Sequence, residues 1–206
     1  MQQPQTIHSQ RSANGAAAAF DFTGQMRLVC HDMTTRLDEL SHIDLSQVSL
    51  CFCQARKRVS HGLFASLTPL RFAGGATTTL RRGRPYGIQR LCDGSGREML
   101  YLLSFYLPRF MDLSLREKLI TIVHELWHIG PRFDGDIRRH EGRCYAHTGS
   151  QKQYDAAMDD LAQRWLSLGP PEPLWEFLNG TFDDLIARHG RIVGVKVQRP
   201  RLVPLA

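Results

Sequence analysis

The chain has 206 residues, 42% of them hydrophobic, with a formal charge of +6 and a pI near 9.3. That size and apolar content suit one domain with a substantial core rather than two, and no run approaches the roughly 18 apolar residues of a helical membrane span. Five cysteines without a Cys-x-x-Cys pair argue against a disulfide framework or a zinc ribbon and point to a reducing cytoplasm.

Residues 1–20 are polar and Gln-rich before a short run of small residues, and read as a disordered tail. One domain is expected over 21–190, followed by a basic, extended tail over 191–206. In residues 21–42, Phe22, Met26, Val29, Met33, Leu37 and Leu40 recur at three- and four-residue steps, which predicts an amphipathic helix. Residues 47–55 alternate Val48, Leu50 and Phe52 against Ser49, Cys51 and Cys53, a strand pattern in which the two cysteines read as small buried hydrophobes. Residues 63–72 predict a second strand, interrupted at Pro69, and 77–91 a third with arginines on its exposed side. Asp93, Gly94, Ser95 and Gly96 form a turn, and 98–106 a fourth strand. The expectation is an antiparallel sheet ahead of the next helix.

Ser114 followed by Glu117 is a capping-box pattern just before an apolar run, so a helix is predicted over 115 to about 130, ended by Gly130-Pro131. Residues 130–153 are rich in Gly, Asp, Arg and His, and loops of that length without regular structure are usually functional or disordered. A helix is expected over 154–168, a break at Pro170, Pro171 and Pro173, and a last helix over 174–188 with Gly190 beyond its end.

The helix at 115–130 carries His124-Glu125-Leu126-Trp127-His128. Two imidazoles four residues apart project from one helical face and can hold a zinc ion, with Glu125 placed as general base toward a metal-bound water. Nine His and seven Glu in this length give only about 0.01 chance occurrences of the pattern. Leu119, Ile120, Ile122, Val123, Leu126, Trp127 and Ile129 also make the helix apolar on nearly every side, and burying two His and a Glu without partners costs several kcal/mol. A catalytic zinc takes three protein ligands and keeps one position open. The candidates for the third are Asp134, Asp136, His140, Glu141 and His147 in the following loop. Asp134 stands six residues after His128, the metzincin interval, but Pro131 occupies the position where that pattern has glycine.

Residues 99–101, 105–110, 121–129 and 133–139, with Gly142, Arg143, His147 and Ser150, resemble the metallopeptidases encoded by phages and prophages, distant relatives of SprT-like zincins. The likeness covers roughly the central third of the chain. It implies an α+β, zincin-like fold, in which a small antiparallel or mixed sheet packs against the HExxH helix between flanking helices. It implies a zinc-dependent peptidase acting on protein or peptide substrates, in which His124 and His128 bind zinc and Glu125 is catalytic. In SprT-like proteins a histidine beyond the loop completes the metal site, which favours His147 here. His140, Asp134 and Asp136 stay open as alternatives, and the two Asp residues also as acceptors for a ligand histidine's ring N–H. Analogy with zincins further suggests that the strand over 98–106 binds substrate backbone by strand addition. Tyr145 and Tyr154 are candidates to stabilise an oxyanion, although tyrosines at a loop-to-helix junction more often pack.

Of the 26 basic residues, 22 are Arg and only 4 are Lys. They cluster at Arg56 and Arg58, at Arg81, Arg82, Arg84 and Arg90, at Arg138, Arg139 and Arg143, and at Arg191, Arg199 and Arg201. A solvated surface is the blander account and is favoured, because no nucleic-acid-binding signature accompanies the charge. The rival is a nucleic-acid-associated protein with a structural or inactive zinc site; SprT-like relatives act on proteins crosslinked to DNA.

Overall fold

The computed structural model describes residues 5–6, 19–55, 58–59, 61–139 and 151–205. Strand β1 is the pair Gln5–Thr6 and β2 is Phe20–Asp21; helix α1 is Phe22–Arg36. The Asp21 side chain caps α1 by accepting from Gly24 N, and Phe22, Met26, Val29, Cys30 and Met33 form its buried stripe. The helix stops six residues short of the predicted 42. Leu37 turns extended, and single 3-10 turns at Asp38–Leu40 and Leu45–Gln47 lead into β3, Val48–Gln54.

Next come β4 (Ala65–Pro69), β5 (Thr78–Arg81), β6 (Arg84–Ile88), β7 (Leu91–Cys92) and β8 (Tyr101–Leu107). Helix α2 is Leu115–Trp127, α3 is Gln151–Ser167, α4 is Glu172–Trp175 and α5 is Phe182–His189, before the short strands β9 (Ile192–Val193) and β10 (Leu202–Pro204). The architecture is α+β, and among the described residues no helix is long and apolar enough to cross a membrane.

The sheet in front of α2 is mixed, not antiparallel. Its order is β3-β8-β4, with β3 parallel and β4 antiparallel to the central β8. Parallel pairing needs a long crossover, and the excursion from residue 55 to 100 supplies it. Because β8 lies between two strands, it cannot receive a substrate strand, which corrects the assignment of substrate binding to 98–106. The edge on that side belongs to β4.

Six of the seven residues of β8 are buried, as expected of a central strand covered on both faces. Tyr101, Leu103, Phe105 and Leu107 face the main core with α1 and α2, where the Phe105 ring lies 5.8 Å from Phe22 and 4.8 Å from Phe110. Leu102 joins Cys51, Leu70, Leu91 and Met99 in a smaller cluster on the opposite face, closed by Val195 and Val197. Cys51 is thus fully buried, its Sγ 3.2 Å from Ser104 Oγ, while Cys53 is half-buried.

Three further expectations change. Residues 77–91 do not form one strand but a hairpin, β5 and β6, turning at Arg82-Gly83 and pairing in a separate sheet with β10. The predicted last helix is broken: α4 and a 3-10 turn over Glu176–Asn179 end at Gly180, and Thr181 restarts the chain as α5 with a capping box to Asp184. The closing segment is extended, and it docks through β9 on β2 and β10 on β6. Of the expected N-terminal tail, Gln5 and Thr6 pair with Leu91 and Cys92 and Phe20 pairs with Ile192; residues 1–4 and 7–18 lie outside the described residues.

Candidate metal centre

Helix α2 begins as its sequence predicts. Ser114 accepts from Glu117 N, and the Glu117 carboxylate returns a bond to Ser114 N at 2.9 Å. One face packs on the sheet and another on α3, burying Leu119, Ile122, Val123 and Leu126. The helix ends at Trp127 with His128 as C-cap, so His124 lies in the last turn and His128 at the exit.

The two imidazoles converge. His124 Nε2 and His128 Nε2 are 2.9 Å apart, with ring planes at 82° and centroids separated by 4.6 Å. Two nitrogens bound to one tetrahedral zinc at about 2.0–2.1 Å would stand roughly 3.3 Å apart. A few tenths of an ångström of side-chain rotation separates the observed spacing from that value, so this nitrogen pair fits such a metal. In its absence the contact requires opposite tautomers, one ring donating and the other accepting.

Glu125 points from the same helix toward the sheet. Its Oε2 accepts from the backbone N of Leu67 on β4 at 2.7 Å, while Oε1 has no hydrogen bond among the described residues. Burial leaves it 9% exposed and pushes its carboxyl up to about 7, opposed only by the Leu67 N–H. A carboxyl titrating near neutrality can accept and return a proton at physiological pH.

Tyr154, near the start of α3, completes the wall. Its ring lies 5.1 Å from His124 edge-on and 6.4 Å from His128 in a stacked orientation, and it is 3% exposed. Burial, and then the Glu125 charge, push its phenol well above the usual tyrosine range, which keeps it protonated.

The loop after α2 is braced against the sheet. Ile129 forms an antiparallel bridge with Ile137, and Arg138 N donates to His128 O at 2.7 Å. The Arg138 guanidinium donates to Trp127 O and lies 4.1 Å over the Trp127 ring. Asp136 holds Arg139 through two bonds and accepts from Gly74 N and Ile137 N. Asp134 accepts from Asp136 N and pairs with Arg132 at 3.0 Å. Tyr101 on β8 ties this loop down, donating to Asp136 O and accepting from Gly135 N. Gly135 is required there, since its φ is +87° and a Cβ would fall 2.4 Å from Arg71 Cγ.

The structure therefore brings together His124, Glu125, His128 and Tyr154, and gives Asp134 and Asp136 other partners. Among the described residues no three His, Cys, Asp or Glu side chains gather into a set able to hold a metal. His140, Glu141, Tyr145 and His147 lie outside the described residues. Sequence reasoning missed two groups around the helix. One is the Leu67 N–H, a backbone donor that no residue type announces. The other is Lys118, 1% exposed, which spans from α2 to donate to Leu178 O at 2.8 Å and Gly180 O at 2.7 Å. Nothing in the sequence marks it, because it follows Arg116 and Glu117 in a charged first turn of the helix.

Comparison with known proteins returns no match, whether to a protein-family model, a curated protein or a solved structure.

Proposed function

We propose that this protein is a zinc-dependent hydrolase of the zincin type and that its substrate bond is a peptide. The observation that carries the reading is the convergence of His124 Nε2 and His128 Nε2 beside a buried Glu125 whose carboxyl titrates near neutrality. The resemblance of residues 99–139 to phage-encoded metallopeptidases supports peptide as the substrate class. His124 and His128 would hold the metal together with His147, the favoured third ligand, with His140 as its alternative. Zinc bound there supplies a Lewis acid that polarises a carbonyl and lowers the pKa of its water.

The remaining chemistry belongs to the chain. Glu125, anchored through Oε2 by Leu67 N, has Oε1 available to take a proton from water and return it to the leaving amine. The Tyr154 phenol, kept protonated by its surroundings, is a donor for negative charge developing on the substrate oxygen. The β4 edge stands beside Glu125, whose Oε2 accepts from the outward N–H of Leu67 on that edge.

The test is hydrolysis of an unstructured protein such as casein by wild type and by Glu125→Gln. The reading requires cleavage by wild type and a loss of at least about a hundredfold in the variant. Equal cleavage by both would end it.

A further inference from the structure

The two longest stretches of this sequence without an acidic residue are 45–92, with eight Lys or Arg, and 185–206, with five. They lie far apart in the chain, yet the fold joins them. Strand β10 pairs antiparallel with β6, Leu202 opposite Ile88 and Pro204 opposite Tyr86, and β6 pairs with β5 with Arg81 opposite Arg84. Gln89 N donating to Arg201 O and Leu205 N donating to Pro85 O extend the junction at both ends. The result is a three-stranded sheet built wholly from acid-free sequence.

Arg81, Arg82, Arg84, Arg90, Arg199 and Arg201 are exposed on it. Arg90 pairs with Glu98; the other five make no ion pair among the described residues, in contrast to Arg36, Arg58, Arg71, Arg116, Arg139 and Arg164, each held by a carboxylate. At the tip, Arg82 has φ +50° and Gly83 φ +74°, so both central residues of a two-residue turn are left-handed. Asn or Gly fits such a position with less strain than Arg. A long cation is therefore held at the apex at a conformational cost.

We propose that this sheet is a docking surface for duplex nucleic acid, with Arg81, Arg82 and Arg84 gripping phosphates at the hairpin tip and Arg201, held at Gln89 at the opposite end of the sheet, with Arg199 before it, reaching further phosphates along the backbone. The guanidinium fork matches phosphate oxygens bidentately, and the closely spaced phosphates of a duplex backbone suit a sheet face that carries several unpaired arginines. Tyr86 is the one aromatic residue of the three strands, which disfavours a single-strand stacking platform. Leu80, 74% exposed, and the less exposed Leu205 beside Pro85 are the large apolar side chains near the tip, outnumbered there by Arg81, Arg82 and Arg84 and too few to insert in a membrane.

The experiment is equilibrium binding of the full chain to a labelled DNA duplex of about 20 base pairs, between roughly 50 and 200 mM salt. Arg82→Asn/Arg84→Thr is the informative variant. It installs the Asn-Gly pair that this turn favours and a strand-forming residue after it, so a loss of binding is not a loss of folding. We expect affinity to fall at least about tenfold and the log–log salt slope to shrink by about 2, whereas Arg116→Gln/Arg188→Gln, with the same charge loss on the helices, leaves both nearly unchanged. No wild-type binding at low salt, equal losses in the two variants, or tighter binding to single strands, an acidic peptide or anionic vesicles would each overturn the proposal. The readout is binding alone, so its failure and failure of the hydrolase reading are separate results.

Discussion

The backbone N–H of Leu67 donates to Glu125 Oε2 across 2.7 Å, joining the outer edge of β4 to the carboxylate between the two histidines of α2. Leu67 stands opposite Leu103 on β8, while Tyr106 N donates to Phe64 O and Leu70 N to Leu100 O. In that alternation the Leu67 N–H points away from the ladder. The sheet thus uses an unpaired edge donor to fix the base.

Leu67→Pro removes that donor without costing a ladder bond, and proline is tolerated at an outward-facing edge position, as at Pro69. Glu125 loses the one interaction that lowers its carboxyl, so its pKa rises above about 7. The acidic limb of the hydrolysis pH profile should move up by about one unit, equivalent to roughly 1.4 kcal/mol of lost carboxylate stabilisation. A profile superimposable on wild type would show that the bond does not tune the base.

In metal-free protein the raised Glu125 carboxyl makes stability depend on pH in a definite direction. The folded state holds a proton that the unfolded chain has released between about 4.5 and about 7, so stability is fullest below that window and declines as pH rises through it. The decline attributable to this group is on the order of 2–3 kcal/mol. Urea unfolding at pH 5 and pH 7.5 should show the gap narrowing in Glu125→Gln. An equal gap in both proteins would assign it elsewhere.

Lys118 closes the base of α2 against the turn before α5. In Lys118→Met the side-chain volume is kept, but the carbonyls of Leu178 and Gly180 lose their donor, at about 1–3 kcal/mol. Thermal unfolding should drop by roughly 3–10 °C for a chain of this size. Burial pushes the Lys118 amine down to about 8, so above that pH the wild-type ammonium itself is lost. An unchanged melting temperature at pH 7 would mean that water replaces the amine.

Asp136 is 4% exposed, and the four hydrogen bonds to its carboxylate all come from Arg139 and backbone N–H groups. Asp136→Asn should lower the melting temperature by several degrees through loss of the charge-assisted bonds, while zinc content stays at the wild-type level. Loss of zinc with an unchanged melting temperature would instead make Asp136 a ligand.

Much of the centre was legible because its signals are local. Ser114 and Glu117 fixed the start of α2, and four-residue spacing put His124 and His128 on one face. The antiparallel expectation failed at β3 and β8, since parallel pairing between strands about fifty residues apart leaves no mark in either. The hairpin at Arg82-Gly83 was missed because the turn carries Arg where Asn is the usual sign, and the break before α5 because Thr181 and Asp184 sit inside an apolar pattern that looks continuous. The Asp134 and Asp136 roles depended on which loop atoms the chain brings near Gly74 and Arg139, which is a tertiary fact.

The most direct test of the account is zinc stoichiometry by elemental analysis, on wild type, Glu125→Gln and His124→Ala/His128→Ala purified in parallel. It predicts one zinc per chain in the first two proteins and none in the third. Wild type without zinc, or zinc retained after both histidines are removed, would contradict it.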